Sequence, residues 1–414
     1  MLNTDVPCRH TGNAYRSPQP VPADSPLAAD ACAVARAHIT AWPGYAETPL
    51  HSLSGLARRA GLAALWYKDE ADRFGLGSFK SLGGAYAVAV NLRQQLEHTL
   101  GHEIGIDELA NGRYREHTGK ITVTCATDGN HGRSVAWGAQ RFGCACIIYI
   151  HGEVSEGRAA AIRQYGAKVL RVDGNYDESV RQAAQDAKEF NRVVVSDTSY
   201  PGYLDIPADV MRGYTVLADE ALDQLGTDVP THVFLQGGVG GFAAAVTARV
   251  RDRLADHAVR IVIVEPENAA CILDSIAAGR PIAVTGDLET VMAGLSCGEV
   301  SLLAFDLLKP LIDDVMTVPD SAAIACMGLL AGGVGGDTPV VAGESAVGGL
   351  AGVLIGREQP ALAAALALDD ASRVLLIGTE GATDPQIYRH LVGQSPEAIN
   401  QRARESVRQA SSVS

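Results

Sequence analysis

HVFLQGGVGGFAAAV, residues 232–246, decides the fold. Residues 232–236 fit a buried strand, four glycines fall within positions 237–241, and an Ala-rich run then opens a helix. A strand that ends in a glycine loop and enters a helix is a βα turn. Its backbone N–H groups and helix N-terminus can cradle a phosphate. A flexible turn with helix-packing glycines is the plainer alternative. Gly238, Gly240 and Ala243 also satisfy G-x-G-x-x-[GA], and Glu265 ends the next strand-like run. A nicotinamide-dependent oxidoreductase therefore stays open, with Glu265 as the ribose-binding acid.

The same signal recurs on both sides. Val- and Ile-rich runs stand at 121–125 (ITVTC), 146–150 (CIIYI), 168–172 (KVLRV), 192–196 (RVVVS), 260–264 (RIVIV) and 373–377 (RVLLI). They are short and apolar on both faces, as in strands covered by helices on either side. AAIRQYGAK, YDESVRQAAQDAKEF and FAAAVTARVRDRLA lie between them as helix candidates. Alternating strands and helices predict an α/β protein with doubly wound, mostly parallel sheets. Ligands in such folds bind beyond the carboxyl ends of the strands. Residues 1–44, rich in Pro, Ala and polar residues, read as a loosely packed extension.

Composition narrows the function classes. The 414 residues are 47% hydrophobic and 20% charged, enough for two packed domains rather than disorder. A net charge of −14 disfavours nucleic acid as a partner. No uncharged run reaches membrane-spanning length, and no signal-peptide pattern opens the chain, so no membrane is expected and a cytoplasmic protein is. The eight cysteines form no CxxC pair and no zinc-like cluster, so no metal is expected. Cys144 and Cys146 flank one residue of a strand-like run and should face the same way.

Two further stretches hold chemistry-bearing side chains. GLGSFKSLGGAYA (75–87) places Ser78 and Lys80 between a small-residue loop and a helix start. A confined lysine loses its proton more readily and can condense with an aldehyde, although a solvated surface lysine is the alternative. TVTCATDGNHGRSVAWGAQRFG (122–143) runs from a strand into Thr127-Asp128-Gly129-Asn130-His131-Gly132 and a helix. Asp and Asn there either meet a ligand or cap the helix. Asp197, after the run 192–196, also stands at a strand end or simply forms a turn beside Pro201 and Gly202. Glu344, in AGESAVGG, and Thr379 with Glu380, after the last strand, are weaker candidates of the same kind.

S-F-K at 78–80, G-N-H-G at 129–132, the glycine loop at 237–241 and a late strand ending in Gly-Thr, in that order, resemble the fold-type II pyridoxal-phosphate enzymes. Within that group the segments KDEADRFGLGSFKSLGGAYA, ATDGNHGRSVAWGAQ, SDTSYPGYLDIP, IVEPENAACI, MAGLSCGE, GESA and GTEGATD are similar to the diaminopropionate ammonia-lyases. Asp128 stands where other members of the group often have a small neutral residue. The resemblance implies pyridoxal 5'-phosphate carried on Lys80, with its phosphate on Gly237, Gly238, Val239, Gly240 and Gly241. It implies Asn130 at the ring hydroxyl and Thr379 at the pyridine nitrogen. It further implies α,β-elimination of D- and L-2,3-diaminopropionate to pyruvate and ammonia. Asp128 would take Cα–H from the D-isomer and Lys80 from the L-isomer. Asp197 would assist with the substrate amine, and Ser78, Thr127 and Glu344 would contact substrate. A β-hydroxy amino acid dehydratase is the neighbouring alternative. A homodimer is implied too, as are a large domain of 45–85 and 201–400, a small one of 86–200, and a site between them. Cys271 and Cys297 both lie beside matched motifs, which allows a disulfide between them.

Overall fold

The computed structural model describes residues 3–4, 6–17, 20–127, 129–174 and 176–411. The chain divides into two compact units, one drawn from 1–21, 47–72 and 218–414, the other from 22–46 and 73–217.

The first unit is built on a sheet of β1 (His10–Gly12), β2 (Leu50–Ser52), β3 (Ala64–Asp69), β8 (His232–Gln236), β9 (Arg260–Pro266), β10 (Asp314–Val318) and β11 (Arg373–Gly378), in the order β1-β10-β9-β8-β11-β3-β2. The inner five run parallel, and the short edge strands β1 and β2 pair antiparallel. Every residue of β8 is buried, because helices cover both of its faces. The second unit holds an all-parallel sheet, β6-β5-β4-β7, of β4 (Thr122–Ala126), β5 (Ala145–His151), β6 (Lys168–Val172) and β7 (Val193–Val194).

The strand-like runs all become strands, with 192–196 shortened to two residues. The sequence reading missed β3 and β10, and the reason is charge. Lys68, within β3, is wholly buried, and its Nζ donates to Glu220 Oε2 (2.7 Å), Thr48 O (2.7 Å) and Gln224 Oε1 (3.0 Å). Asp314, opening β10, is buried against Arg260 (2.6 Å) and His10 Nε2 (2.9 Å). A charge with enough partners can sit inside a sheet.

Two expectations need correction. The N-terminal segment is not loose. β1 extends the large sheet, and the helix Ala29–Thr40 buries Cys32, Ala35 and Ile39. Trp42 follows it, edge-on to Phe142 with ring centres 5.5 Å apart. The second unit also begins earlier than residue 86 and takes in Lys80. The helix Lys80–Leu100 is held there by close packing. A Cβ on Gly83 would lie 2.4 Å from Tyr214 Cε1 and 2.6 Å from Val210 O, and one on Gly84 would lie 2.4 Å from Ser134 Oγ. Only glycine lets these helices approach so closely.

Candidate active site

Lys80 is the first residue of its helix, which has no side-chain cap. Ser134 Oγ donates to the Lys80 carbonyl (2.7 Å), fixing that turn against the helix Asn130–Phe142. The side chain is 21% exposed, and its Nζ donates to Asp197 Oδ2 at 2.6 Å. The ring centres of Phe79 and Tyr214 lie 5.4 and 5.7 Å from Nζ, close enough to favour its cation. Burial would raise the Asp197 carboxyl, but Lys80 and then His131 hold it well below the usual carboxylate range. The chain has six lysines. Lys68 is committed within β3, Lys309 donates to Gly279 O (2.7 Å), and Lys120, Lys168 and Lys188 are exposed. Lys80 is thus the partly enclosed lysine with a carboxylate against it.

The strand-to-helix turn after β4 is built by Thr127. Its Oγ1 accepts from the N–H groups of Gly129 (3.0 Å) and Gly132 (3.1 Å). The hydroxyl expected at substrate therefore shapes the turn. Asn130 opens the helix, while Asp128 lies outside the described residues. His131 is buried, and its Nε2 meets Val195 O at 2.8 Å. Its Nδ1 is 3.8 Å from Asp197 Oδ2 and has no hydrogen-bond partner. His131 thus meets a backbone carbonyl through one ring nitrogen only. Tyr214 was missed, because nothing in a helix 134 positions further on signals contact with Lys80.

In the first unit the glycine loop behaves as its sequence predicts. Gly238 (φ +60°) and Gly240 (φ +91°) adopt left-handed conformations, and the helix Gly241–Arg253 begins without a side-chain cap. A Cβ on Gly237 would lie 2.5 Å from Glu265 Cγ, and one on Gly240 would lie 3.1 Å from Ala304 Cβ. Gln236 Nε2 donates to Ala346 O and Ile377 O, both at 2.9 Å. It thereby gathers the glycine loop, the short helix Glu344–Val347 and the end of β11 at the carboxyl ends of β8 and β11. Glu344 and Thr379 stand there, both buried, and Glu380 Oε1 accepts from Ser345 N–H (3.0 Å). Ser78, in the other unit, is also buried. Leu295 and Gly294, from the segment MAGLSCGE, cover Gly238 within 3.5 Å of its ideal Cβ.

Glu265 removes the dinucleotide reading. Its carboxylate accepts from the N–H groups of Ile272 and Leu273, both at 2.8 Å, at the start of the helix Cys271–Ala278. Burial pushes it up to about 8, against the pull of those two N–H groups. A wholly buried carboxylate already used as a helix cap has no reach to a ribose. All eight cysteines are free thiols. Cys271 Sγ turns to Gly238 O (3.7 Å) rather than into a disulfide, and burial raises it far above the usual thiol range. Cys144 precedes β5 rather than sharing a strand face with Cys146. Among the described residues no helix is long and apolar enough to cross a membrane, and no group of three or more His, Cys, Asp or Glu side chains could hold a metal ion.

Residues 41–380 match the family model described as pyridoxal-phosphate dependent enzyme. Diaminopropionate ammonia-lyase of Salmonella typhimurium is 39% identical over 359 residues, covering 84% of this chain and 89% of that protein. A crystal structure of diaminopropionate ammonia lyase from Escherichia coli, in complex with an aminoacrylate-PLP azomethine reaction intermediate, superposes with a TM-score of 0.83 at 36% identity, covering 94% of this chain and 97% of that one. Threonine deaminase isoform 2 from Solanum lycopersicum shares the fold, with a TM-score of 0.69 at 22% identity over 95% of this chain and the whole of that one. The chain belongs to the pyridoxal-phosphate dependent enzymes of fold-type II and, within them, to the diaminopropionate ammonia-lyase family.

Proposed function

We propose that this chain eliminates the β-amino group of D- and L-2,3-diaminopropionate, giving pyruvate and ammonia, with pyridoxal 5'-phosphate held on Lys80. The observation that carries this is the Lys80–Asp197 contact in a chain 39% identical to a diaminopropionate ammonia-lyase over most of both lengths.

The residues suit the cofactor. Gly237–Gly241 offers a cradle in which a Cβ would collide at Gly237 and strain the backbone at Gly238 and Gly240, with an uncapped helix start for the phosphate. Lys80 offers an amine that can lose its proton, Asn130 a side chain for the ring hydroxyl, and Thr379 a neutral hydroxyl for the pyridine nitrogen. Bound there, the cofactor supplies the electron sink for the charge left when Cα–H departs.

The chain's own residues do the rest. Lys80 Nζ, once released to substrate, takes Cα–H from the L-isomer, and Asp128 takes it from the D-isomer. Asp197 holds the Lys80 amine in place and receives the substrate's ammonium group. A β-amino group leaves only when protonated, so the acid that delivers its proton must lie beside it. Lys80, just protonated by Cα–H, is that acid for the L-isomer. Ser78, Thr127 and Glu344 complete the substrate contacts, Thr127 through the turn it fixes. A cytoplasmic homodimer belongs to the same proposal.

Steady-state release of pyruvate and ammonia from each enantiomer tests the reading. Turnover of both is expected. Turnover of serine or threonine with none of diaminopropionate would replace it by a β-hydroxy amino acid dehydratase.

A further inference from the structure

The geometry points to His131 as the positioning residue that takes the Lys80 proton by way of Asp197 when the lysine amine bonds to an aldehyde. This inference rests on the reading that Lys80 carries the cofactor.

The need arises from Lys80 itself. Only a neutral amine attacks a carbonyl carbon. In the structure its amine lies against Asp197 at 2.6 Å and near two ring faces, and all three contacts favour the charged form. Something nearby must accept the displaced proton. Asp197 accepts poorly, being held well below the usual carboxylate range despite its burial.

The other groups facing this pair are few among the described residues. Tyr214 comes from the helix Asp205–Leu225, Tyr203 from the loop before it, and Cys125 from β4. Burial raises all three above their ordinary values, so near neutral pH they stay protonated and cannot accept. Tyr203 OH is also occupied, donating to Val194 O (2.8 Å) and accepting from Ser196 N–H (3.0 Å).

His131 differs. A carbonyl only accepts, so Nε2, 2.8 Å from Val195 O, carries the ring hydrogen. That leaves Nδ1 as a bare lone pair, buried, without a hydrogen-bond partner, and 3.8 Å from the Asp197 oxygen that Lys80 contacts. A lone pair facing a carboxylate is a poor arrangement unless a proton is due to arrive there. Burial, opposed by Asp197 and aided by the Lys80 cation, keeps the ring neutral while Lys80 is charged. Removing that cation takes away one of the two influences that hold the ring neutral and leaves the Asp197 carboxylate facing Nδ1. One proton leaves Nζ, Asp197 passes it on, and Nδ1 receives it. The three groups sum to zero charge before and after, so the pocket is never asked to hold a net charge.

The test is nuclear magnetic resonance of the His131 ring nitrogens in the full-length chain at pH 7, assigned with His131→Gln, before and after loading with pyridoxal phosphate. The expected result is a neutral ring with hydrogen on Nε2 in the cofactor-free chain and a doubly protonated ring in the loaded one. In Asp197→Asn the ring should stay neutral in both. His131→Gln keeps a donor for Val195 O but removes the base. Its visible cofactor band should therefore appear about 100-fold more slowly, the lower end for loss of a positioned proton-transfer group. A ring that keeps one protonation state through loading overturns the inference. So does wild-type loading by His131→Gln. Failure of the underlying reading looks different: the visible band then forms in Lys80→Met as well.

Discussion

Glycines 83 and 84 sit inside a helix with Tyr214, Val210 and Ser134 pressed against them, whereas glycines 238 and 240 sit in left-handed turns between a strand and a helix. The first pair removes side chains so that helices can close and hold Lys80 and its neighbours. The second lets the chain take left-handed turns and leaves a helix start without a side-chain cap. One unit thus holds clustered side chains, Lys80 with Asp197 and His131, and the other holds a bare backbone loop. The same residue type serves both, so a glycine count alone does not say where a cofactor goes. What distinguishes them is the sign of φ and what the missing Cβ would touch.

Five substitutions can break or sharpen that contrast. Lys80→Ala should cost most. It should abolish the visible cofactor band and lower turnover by at least about 10⁴-fold, the upper range for a positioned acid–base group, as read by absorbance and pyruvate release. Gly83→Ala and Gly240→Ala should then separate the two uses of glycine. Gly83→Ala overpacks a helix contact and should destabilise the cofactor-free protein by about 2 kcal/mol. Gly240→Ala should cost about 1–3 kcal/mol of local backbone strain and act chiefly on retention of the phosphate. Denaturant unfolding with and without cofactor tells them apart. The contrast fails if both variants lose stability and retain cofactor equally.

Asp197→Asn comes next. Its carboxyl is held below the ordinary value, so its contribution to stability is full above about pH 4 and is lost as pH falls towards the lower folded value. The cofactor-free variant should be about 1–2 kcal/mol less stable at pH 7, and the difference should narrow progressively as pH falls below about 4. Glu265→Gln should have the smallest effect and the opposite sign of pH dependence. Glu265 is raised to about 8, so the folded protein holds a proton that the unfolded chain has released, and stability falls as pH rises from about 4.5 towards 8. The advantage of wild type over Glu265→Gln should shrink steadily across that range, seen in unfolding midpoints at pH 5 and pH 8.

How much of this was legible in the sequence depended on range. The glycine loop was legible as a βα turn because strand, left-handed turns and helix start follow one another. Lys80 was legible through its small neighbours, and Asp197 through its place after a strand. Their 2.6 Å contact was not, since 117 positions separate them. The turn that Thr127 shapes was not foreseen, because a turn-forming hydroxyl and a substrate-binding one look alike in sequence. β3 and β10 were hidden by Lys68 and Asp314, whose partners Glu220 and Arg260 are distant along the chain. The packed N-terminal segment was hidden for the opposite reason: its helix buries small residues, Cys32 and Ala35, that give weak periodicity.

The central claim is that the cofactor is bonded to Lys80, and the most direct test is chemical. The loaded protein is reduced with borohydride, which fixes the cofactor to its lysine, then digested and mapped by mass spectrometry. The account predicts one modified peptide, containing Lys80, in near one-to-one yield. Modification of Lys68 or Lys309 instead, or no stable adduct at all, would contradict it.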